Sequence, residues 1–404
     1  MIIILKRVCS FLMLICALLM GGVIYGFYAL PDEISSFAEE KIDIGLFYSC
    51  DVDKTEKMAS KSLVTEGNYS VNVKLFNSIP VKKSNLTVKG RPYVVPSGEI
   101  VGLRLFSKGV MIVGSDKVAT ETGEVNPMKA AGLCEGDVIT TVDGIEITSS
   151  IQTEKIIRES GGKELQIGYT RNGKSLFTSL KPAFCKSENV YKAGMWIRDS
   201  AAGIGTMTFY EKESGFFVCL GHAVCDVDTG EVLPLSDGDI VDARINGCVK
   251  GKIGAAGELC GVFTGESEGT LFYNGETGVY GILCEPDKAA KELPVAAKNE
   301  VKTGKAQIIS TVEGESKAYY DIEIEKLNPD GKDSKNMVIK ITDKKLLEKT
   351  GGIVQGMSGS PILQNGYLVG AVTHVFVNDP TRGYGIFAET MLEENEKKEI
   401  GKAG

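Results

Sequence analysis

A chain of 404 residues, 43% apolar and 24% charged, has the composition of an ordinary globular protein and room for two or three domains. Its 48 glycines against 12 prolines indicate many turns between short strands rather than disorder. A net charge of −8, with no basic run interleaved with aromatics, excludes a general nucleic-acid binder.

In chain order, Lys6 and Arg7 precede an apolar stretch at 8–28, and Asp32 and Glu33 follow it. About twenty apolar residues suffice to cross a bilayer, and the flanking charges place the body of the chain outside the cytoplasm. The stretch is long for a signal-peptide core and lacks an Ala-x-Ala site, so a membrane anchor is favoured over a cleaved signal peptide. Residues 31–95 read as a juxtamembrane linker with a small β unit, the alternation at 69–76 marking its first strand. Eight of the ten cysteines lie beyond the apolar stretch and form no CxxC pair, so they make no zinc knuckle. Those inside apolar runs, such as Cys219 and Cys284, read as small buried hydrophobes, with disulfides left open.

Two strands at 100–105 and 109–114 are followed by Asn126-Pro127, Ala131-Gly132-Leu133, Gly136-Asp137-Val138-Ile139 and the hairpin turn Asp143-Gly144. A helix at 152–160 and two strands complete the unit. This order and the Ala-Gly-Leu-x-x-Gly-Asp-x-Ile phrase resemble a PDZ domain, expected over 96–185. Such domains add an extended peptide to an open sheet edge. The resemblance puts the peptide-carboxylate loop at Val101, Gly102 and Leu103; the alternative is a unit that only packs on its neighbour.

Beyond residue 186, short strands recur every eight to twelve residues, which predicts two small β-barrels side by side. Near the end stands Gly356-Met357-Ser358-Gly359-Ser360-Pro361, a Gly-x-Ser-Gly-x-Pro turn leading into a strand. A serine hydroxyl becomes a nucleophile when a base takes its proton and backbone N–H groups hold the developing oxyanion. The chain has two histidines. His222 ends an apolar strand far upstream of the serine turn, the chain order of chymotrypsin-like proteases, and is the expected base. His374 lies within a strand and reads as a packed or surface residue, and Ser360 reads as a turn residue.

Met195-Trp196-Ile197-Arg198-Asp199-Ser200, Leu220-Gly221-His222, the serine turn and Thr373-His374-Val375-Phe376-Val377-Asn378-Asp379-Pro380 together resemble the stage IV sporulation protein B family of membrane-tethered, PDZ-containing serine peptidases. The resemblance implies a mainly β fold: an N-terminal transmembrane helix at 1–30, the 31–95 segment, a PDZ domain, and a chymotrypsin-like double β-barrel at 186–404. It implies Ser358 as nucleophile, His222 as base and Asp343 as the orienting acid, with the backbone N–H groups of Gly356 and Ser358 as oxyanion donors. Asp226 and Asp228 rival Asp343 by proximity to His222. No metal or cofactor is implied. The partners implied are protein substrates, including the chain itself, and a membrane-associated regulator of an intramembrane protease. The location implied is extracytoplasmic, between the two forespore membranes. Competing readings are a non-catalytic membrane-anchored PDZ adaptor and a secreted heat-shock-type protease, in which the PDZ unit usually follows the protease.

Overall fold

In a computed structural model the protein is described at residues 2–30, 32–37, 47–52, 67–329, 331 and 334–394. Helix α1 (Ile2–Ala29) is long and apolar enough to cross a membrane, and Phe11, Leu12 and Leu18 lie exposed on it. A four-stranded sheet follows, in the order Glu33–Phe37, Ile79–Lys89, Gly67–Leu75, Tyr48–Val52. Val71 and Val73 alternate inward from the third of these to meet Ile34, Leu86 and Val88. Residues 388–394 are helical, with Met391 buried.

Two strands of sixteen residues each, Ile100–Ser115 and Met195–Tyr210, organise the rest. They pair antiparallel from Ser115↔Met195 to Ile100↔Thr206. Their inner halves close a six-stranded barrel with Leu235–Val249, Glu258–Gly275, Gly278–Leu283 and Phe216–Cys219. Val101, Leu103, Leu105, Met207, Phe217 and Ile240 fill that barrel. Their outer halves leave the barrel and become part of a separate unit containing Val138–Val142, Leu165–Arg171, Lys174–Leu180 and the helices α2 (Pro127–Ala130) and α3 (Ser150–Glu159). This PDZ unit has its own core, including Val110, Ile112, Leu133, Ile139, Ile157 and Ile167. The crossing point is Gly109, at φ +92, where a Cβ would stand 2.3 Å from the Ile139 carbonyl oxygen.

The PDZ unit is therefore an insertion between the first two long strands of the protease barrel, not a domain preceding it. The boundary expected at 96–185 moves accordingly, because residues 100–107 pair with Leu235–Val249 and with the barrel half of Met195–Tyr210. Helix α2 starts as the sequence indicates: the Asn126 side chain accepts the Lys129 N–H, and Pro127 occupies the first turn. The Gly-Asp turn is held by Asp137, 1% exposed, which accepts the Cys134 N–H and both arms of Arg171.

A second closed barrel runs Gly304–Thr311, Lys317–Leu327, Met337–Ile341, Asp379–Phe387, Tyr367–Phe376, Pro361–Gln364. Where the barrels meet, Phe209, Phe216, Val218 and Tyr280 of the first pack with Leu368 and Ile386 of the second as one apolar cluster. Two thiols of the body, Cys185 and Cys219, are buried, while Cys134, Cys225, Cys260 and Cys284 are exposed; Cys284 lies just past its strand, so its apolar context in sequence did not bury it.

Replacing residues 107–199 with a short Asn-Gly turn joins two already paired residues, Phe106 and Ser200, into a hairpin. The shortened protein is expected to unfold cooperatively on heating. Deleting 96–185 instead removes a barrel strand, and circular dichroism should show no cooperative transition.

Candidate active site

The serine turn is built by hydrogen bonds to both barrels. Gln355 exchanges backbone hydrogen bonds with the first barrel, donating to Gly257 O and accepting from Leu259 N. Thr206, on the long strand Met195–Tyr210, donates its N–H to Ser358 O (3.1 Å) and its hydroxyl to Gly356 O (2.7 Å). Met357, fully buried, anchors the turn in the second barrel's core. Ser360 is also fully buried and donates to the Ser310 hydroxyl at 3.0 Å, so its role is structural, as its place in the turn suggests. Gly359 is the point of closest approach: a Cβ there would lie 2.0 Å from Thr206 O and 2.6 Å from Leu220 N. No residue but glycine fits.

Among the described residues, the N–H groups of Gly356 and Ser358 donate to no protein acceptor, while Met357, Gly359 and Ser360 each do. Two backbone donors flanking the serine are thus left open, as an oxyanion site requires. The Ser358 hydroxyl donates to Thr373 O at 2.6 Å. Handing its proton to a base therefore requires a χ1 rotation.

Opposite the turn, the chain leaves Phe216–Cys219 through Leu220 and Gly221, at φ +70 and +71. Leu220 also packs in the first barrel's core, and its left-handed backbone is strained for a bulky residue. The reversal presents His222, whose Nδ1–H donates to Ala223 O at 2.8 Å. A carbonyl can only accept, so this bond keeps the proton on Nδ1 and leaves Nε2 of the neutral ring as the free base. Burial pushes the His222 pKa below 6.5, and the bond to Ala223 offsets that in part. The His222 ring lies 4.8 Å from that of His374, the residue next to the carbonyl that holds Ser358. Both reactive groups thus converge on Thr373–His374. In sequence His374 has only the pattern of a packed or surface residue; its place sixteen positions after the serine, as the second of two histidines, is the available signal for this position.

The expected acids are engaged elsewhere. Asp343 caps helix α4 (Lys344–Thr350), its carboxylate accepting the Leu346 N–H at 3.0 Å. Its other oxygen faces the Asp321 N–H at 3.5 Å. Asp226 and Asp228 both bind Arg198. Among the described residues no carboxylate oxygen lies within 4.0 Å of a His222 ring nitrogen. The orientation expected of Asp343 is supplied in this structure by the Ala223 carbonyl.

Val101, Gly102 and Leu103 do not form a peptide-carboxylate loop. They pair with Gly205, Ile204 and Gly203 on one side and with Asp242, Val241 and Ile240 on the other, so neither backbone edge is open to a peptide. A Cβ at Gly102 would meet the Phe263 ring at 2.5 Å. The PDZ unit instead has a cleft of about 520 Å³ between α3 and the start of Met195–Tyr210, lined by Ile151, Ile157, Met195, Trp196 and Ile197. Among the described residues, Met195–Arg198 pairs with a strand on one edge alone.

Residues 189–392, half the chain, match the model of the SpoIVB peptidase S55 family. The chain belongs to this family. It is accordingly a serine peptidase, and the matched segment contains both histidines and the Ser358 turn. A zinc metalloprotease, RasP, from Shouchella clausii (strain KSM-K16) is 34% identical over 107 residues, which are 26% of this chain and 25% of RasP. The chain thus spans about a quarter of the length of this curated relative. Two solved structures are also similar. One is the PDZ domain of the SdrC-like protein Lmo2051 from Listeria monocytogenes, with 24% identity, 22% of this chain and 87% of that chain covered, and TM-score 0.18. The other is the active form of the Rv3671c protease from M. tuberculosis, with 14% identity, 49% and 74% covered, and TM-score 0.30.

Two outcomes check this geometry. Because a base must be neutral to accept a proton and the folded His222 stays neutral below 6.5, the acid limb of the pH profile for fluorophosphonate labelling should lie below 6.5. Asn caps helices as well as Asp does, whereas Ala loses about 1 kcal/mol. Asp343→Asn should therefore keep both stability and labelling rate, while Asp343→Ala lowers the melting temperature; an orienting acid would instead lose activity in the Asn variant.

Proposed function

We propose that this SpoIVB-family peptidase cleaves peptide bonds with Ser358 as nucleophile and His222 as general base, the oxyanion resting on the N–H groups of Gly356 and Ser358. Ser358 rotates from Thr373 O toward Nε2 of His222 and attacks the substrate carbonyl. The imidazolium that forms donates its Nδ1–H to Ala223 O, then returns the Nε2 proton to the leaving amine. The open pair of N–H donors on the serine turn is the observation that carries this reading. The bond from Nδ1 to a carbonyl supports His222 as the base.

The substrates proposed are the chain's own N-terminal region and a membrane-associated regulator of an intramembrane protease, in the signalling by which a late sigma factor matures during sporulation. Membership of the SpoIVB peptidase family supports this role, and α1 supports attachment to, or passage through, a membrane. The cleft beside α3 is the proposed place where an extended peptide is held, its backbone pairing with the open edge of Met195–Arg198. Insertion of the PDZ unit within the first barrel sets this arrangement apart from proteases whose PDZ unit follows the catalytic domain.

Full-length protein treated with a fluorophosphonate should label at Ser358. His222→Ala should slow labelling by at least about 10³-fold, and Ser358→Ala should abolish both labelling and self-cleavage. Wild-type labelling of His222→Ala would remove His222 from the mechanism.

A further inference from the structure

The strand Met195–Tyr210 belongs to two cores. Met195 and Ile197 pack on the PDZ core, and Ala201 and Met207 on that of the first barrel. Between them stand Arg198 and Asp199, where the pairing with Ile100–Ser115 slips register. Their side chains go to different bodies. Asp199 grips the first residue of α3, accepting the Ser150 N–H at 2.7 Å and the Ser150 hydroxyl at 2.8 Å. Arg198 grips the loop that follows His222, with Nη1 on Asp226 and Nη2 on Asp228 at 2.7 Å.

Asp226 is the hub of that loop. It is 3% exposed, and its second oxygen accepts the N–H groups of Asp228 and Thr229, both at 3.0 Å, and the Thr229 hydroxyl at 3.1 Å. Burial, which would raise its pKa, is outweighed by these bonds and by Arg198, so the carboxylate stays ionised and the pair with Arg198 is charged. The near side of the loop is held by Asn274, which accepts the Val224 N–H and donates to Val224 O, each at 2.8 Å. His222 therefore precedes a loop fixed at one end by the barrel itself and at the other by a residue of the strand that borders the PDZ cleft.

We infer that Arg198 and Asp199 are positioning residues that link the placement of α3 to the loop 222–229, so that the PDZ unit sets how His222 is presented to Ser358. The inference rests on the reading of His222 as the base. It follows from the chain path: one strand carries the cleft edge at 195–197, the α3 grip at 199, the loop grip at 198 and, at Thr206, the hydrogen bonds to the serine turn. A shift of the strand relative to α3 is then felt on both sides of the catalytic pair.

The test is the kinetics of fluorophosphonate labelling on full-length protein, separating the inactivation rate from reagent affinity, with thermal unfolding as a check on folding. Arg198→Met keeps the apolar stem and removes both ion pairs; it should lower the inactivation rate by about 10²-fold with affinity unchanged, the scale of an ångström's misplacement. Arg198→Lys should recover part of the loss, since an ammonium reaches one carboxylate but cannot span two as a guanidinium does. Asp199→Asn should slow the rate less, and should add nothing on top of Arg198→Met, as expected of two steps in one linkage. Folded Arg198→Met labelling at the wild-type rate overturns the inference, as do Asp199→Asn and Arg198→Met effects that simply multiply. Should Arg198→Met lose cooperative unfolding, Asp199→Asn decides alone, wild-type labelling counting against. Wild-type labelling of His222→Ala is a separate outcome that fells the base assignment and this linkage with it.

Discussion

The close contact at Gly359 is the constraint on which the site depends. The two barrels bring the serine turn and the strand end before His222 together only if their backbones nearly touch, and here the serine turn lies against Thr206 and Leu220 with no room for a Cβ. Every other feature of the site follows from that approach. Thr206 can hold the turn with two hydrogen bonds because it is adjacent. Leu220 and Gly221 adopt left-handed conformations because the chain must reverse at once to clear the turn while keeping His222 beside it. The apolar cluster around Phe209, Phe216 and Ile386 holds the barrels in this relation from below.

The chemistry of the site was more legible in the sequence than its architecture. A serine between glycines and a scarce histidine at a strand end are local signals, and the structure brings both beside Thr373–His374. The third member was not legible, because an Asp before a helix and an Asp beside a catalytic His look alike in sequence. Asp343-Lys344-Lys345-Leu346 has the composition of an N-cap and first turn, and in the structure it is one. Likewise Asp226 and Asp228 lie close to His222 along the chain, yet the partner that claims them, Arg198, is far away in sequence.

The displaced domain boundary has a related cause. Residues 100–115 form one strand through the register slip between Phe106 and Met111, and alternation of side chains carries no mark of the point where one core gives way to another. Gly102 in an apolar run resembles the glycine of a carboxylate loop, although here it makes space for Phe263. Only the pairing partners, Leu235–Val249 for the inner half and Val138–Val142 for the outer, distinguish barrel from insertion. Such partners are long-range, and a single sequence does not contain them.

The insertion also bears on how the barrel assembles. Its first two strands are separated by 79 residues of chain (116–194), so bringing them together as a free loop would carry the entropy of closing a long ring. The PDZ unit removes that obstacle. Its own sheet already pairs Met111 with Arg198 and Ser115 with Met195, and those pairs are the outer ends of the two long strands. Once the unit has folded, the inner halves emerge side by side and antiparallel, and Leu105 faces Ala201 just past the register slip. The PDZ unit is in this sense the template on which the protease barrel is started.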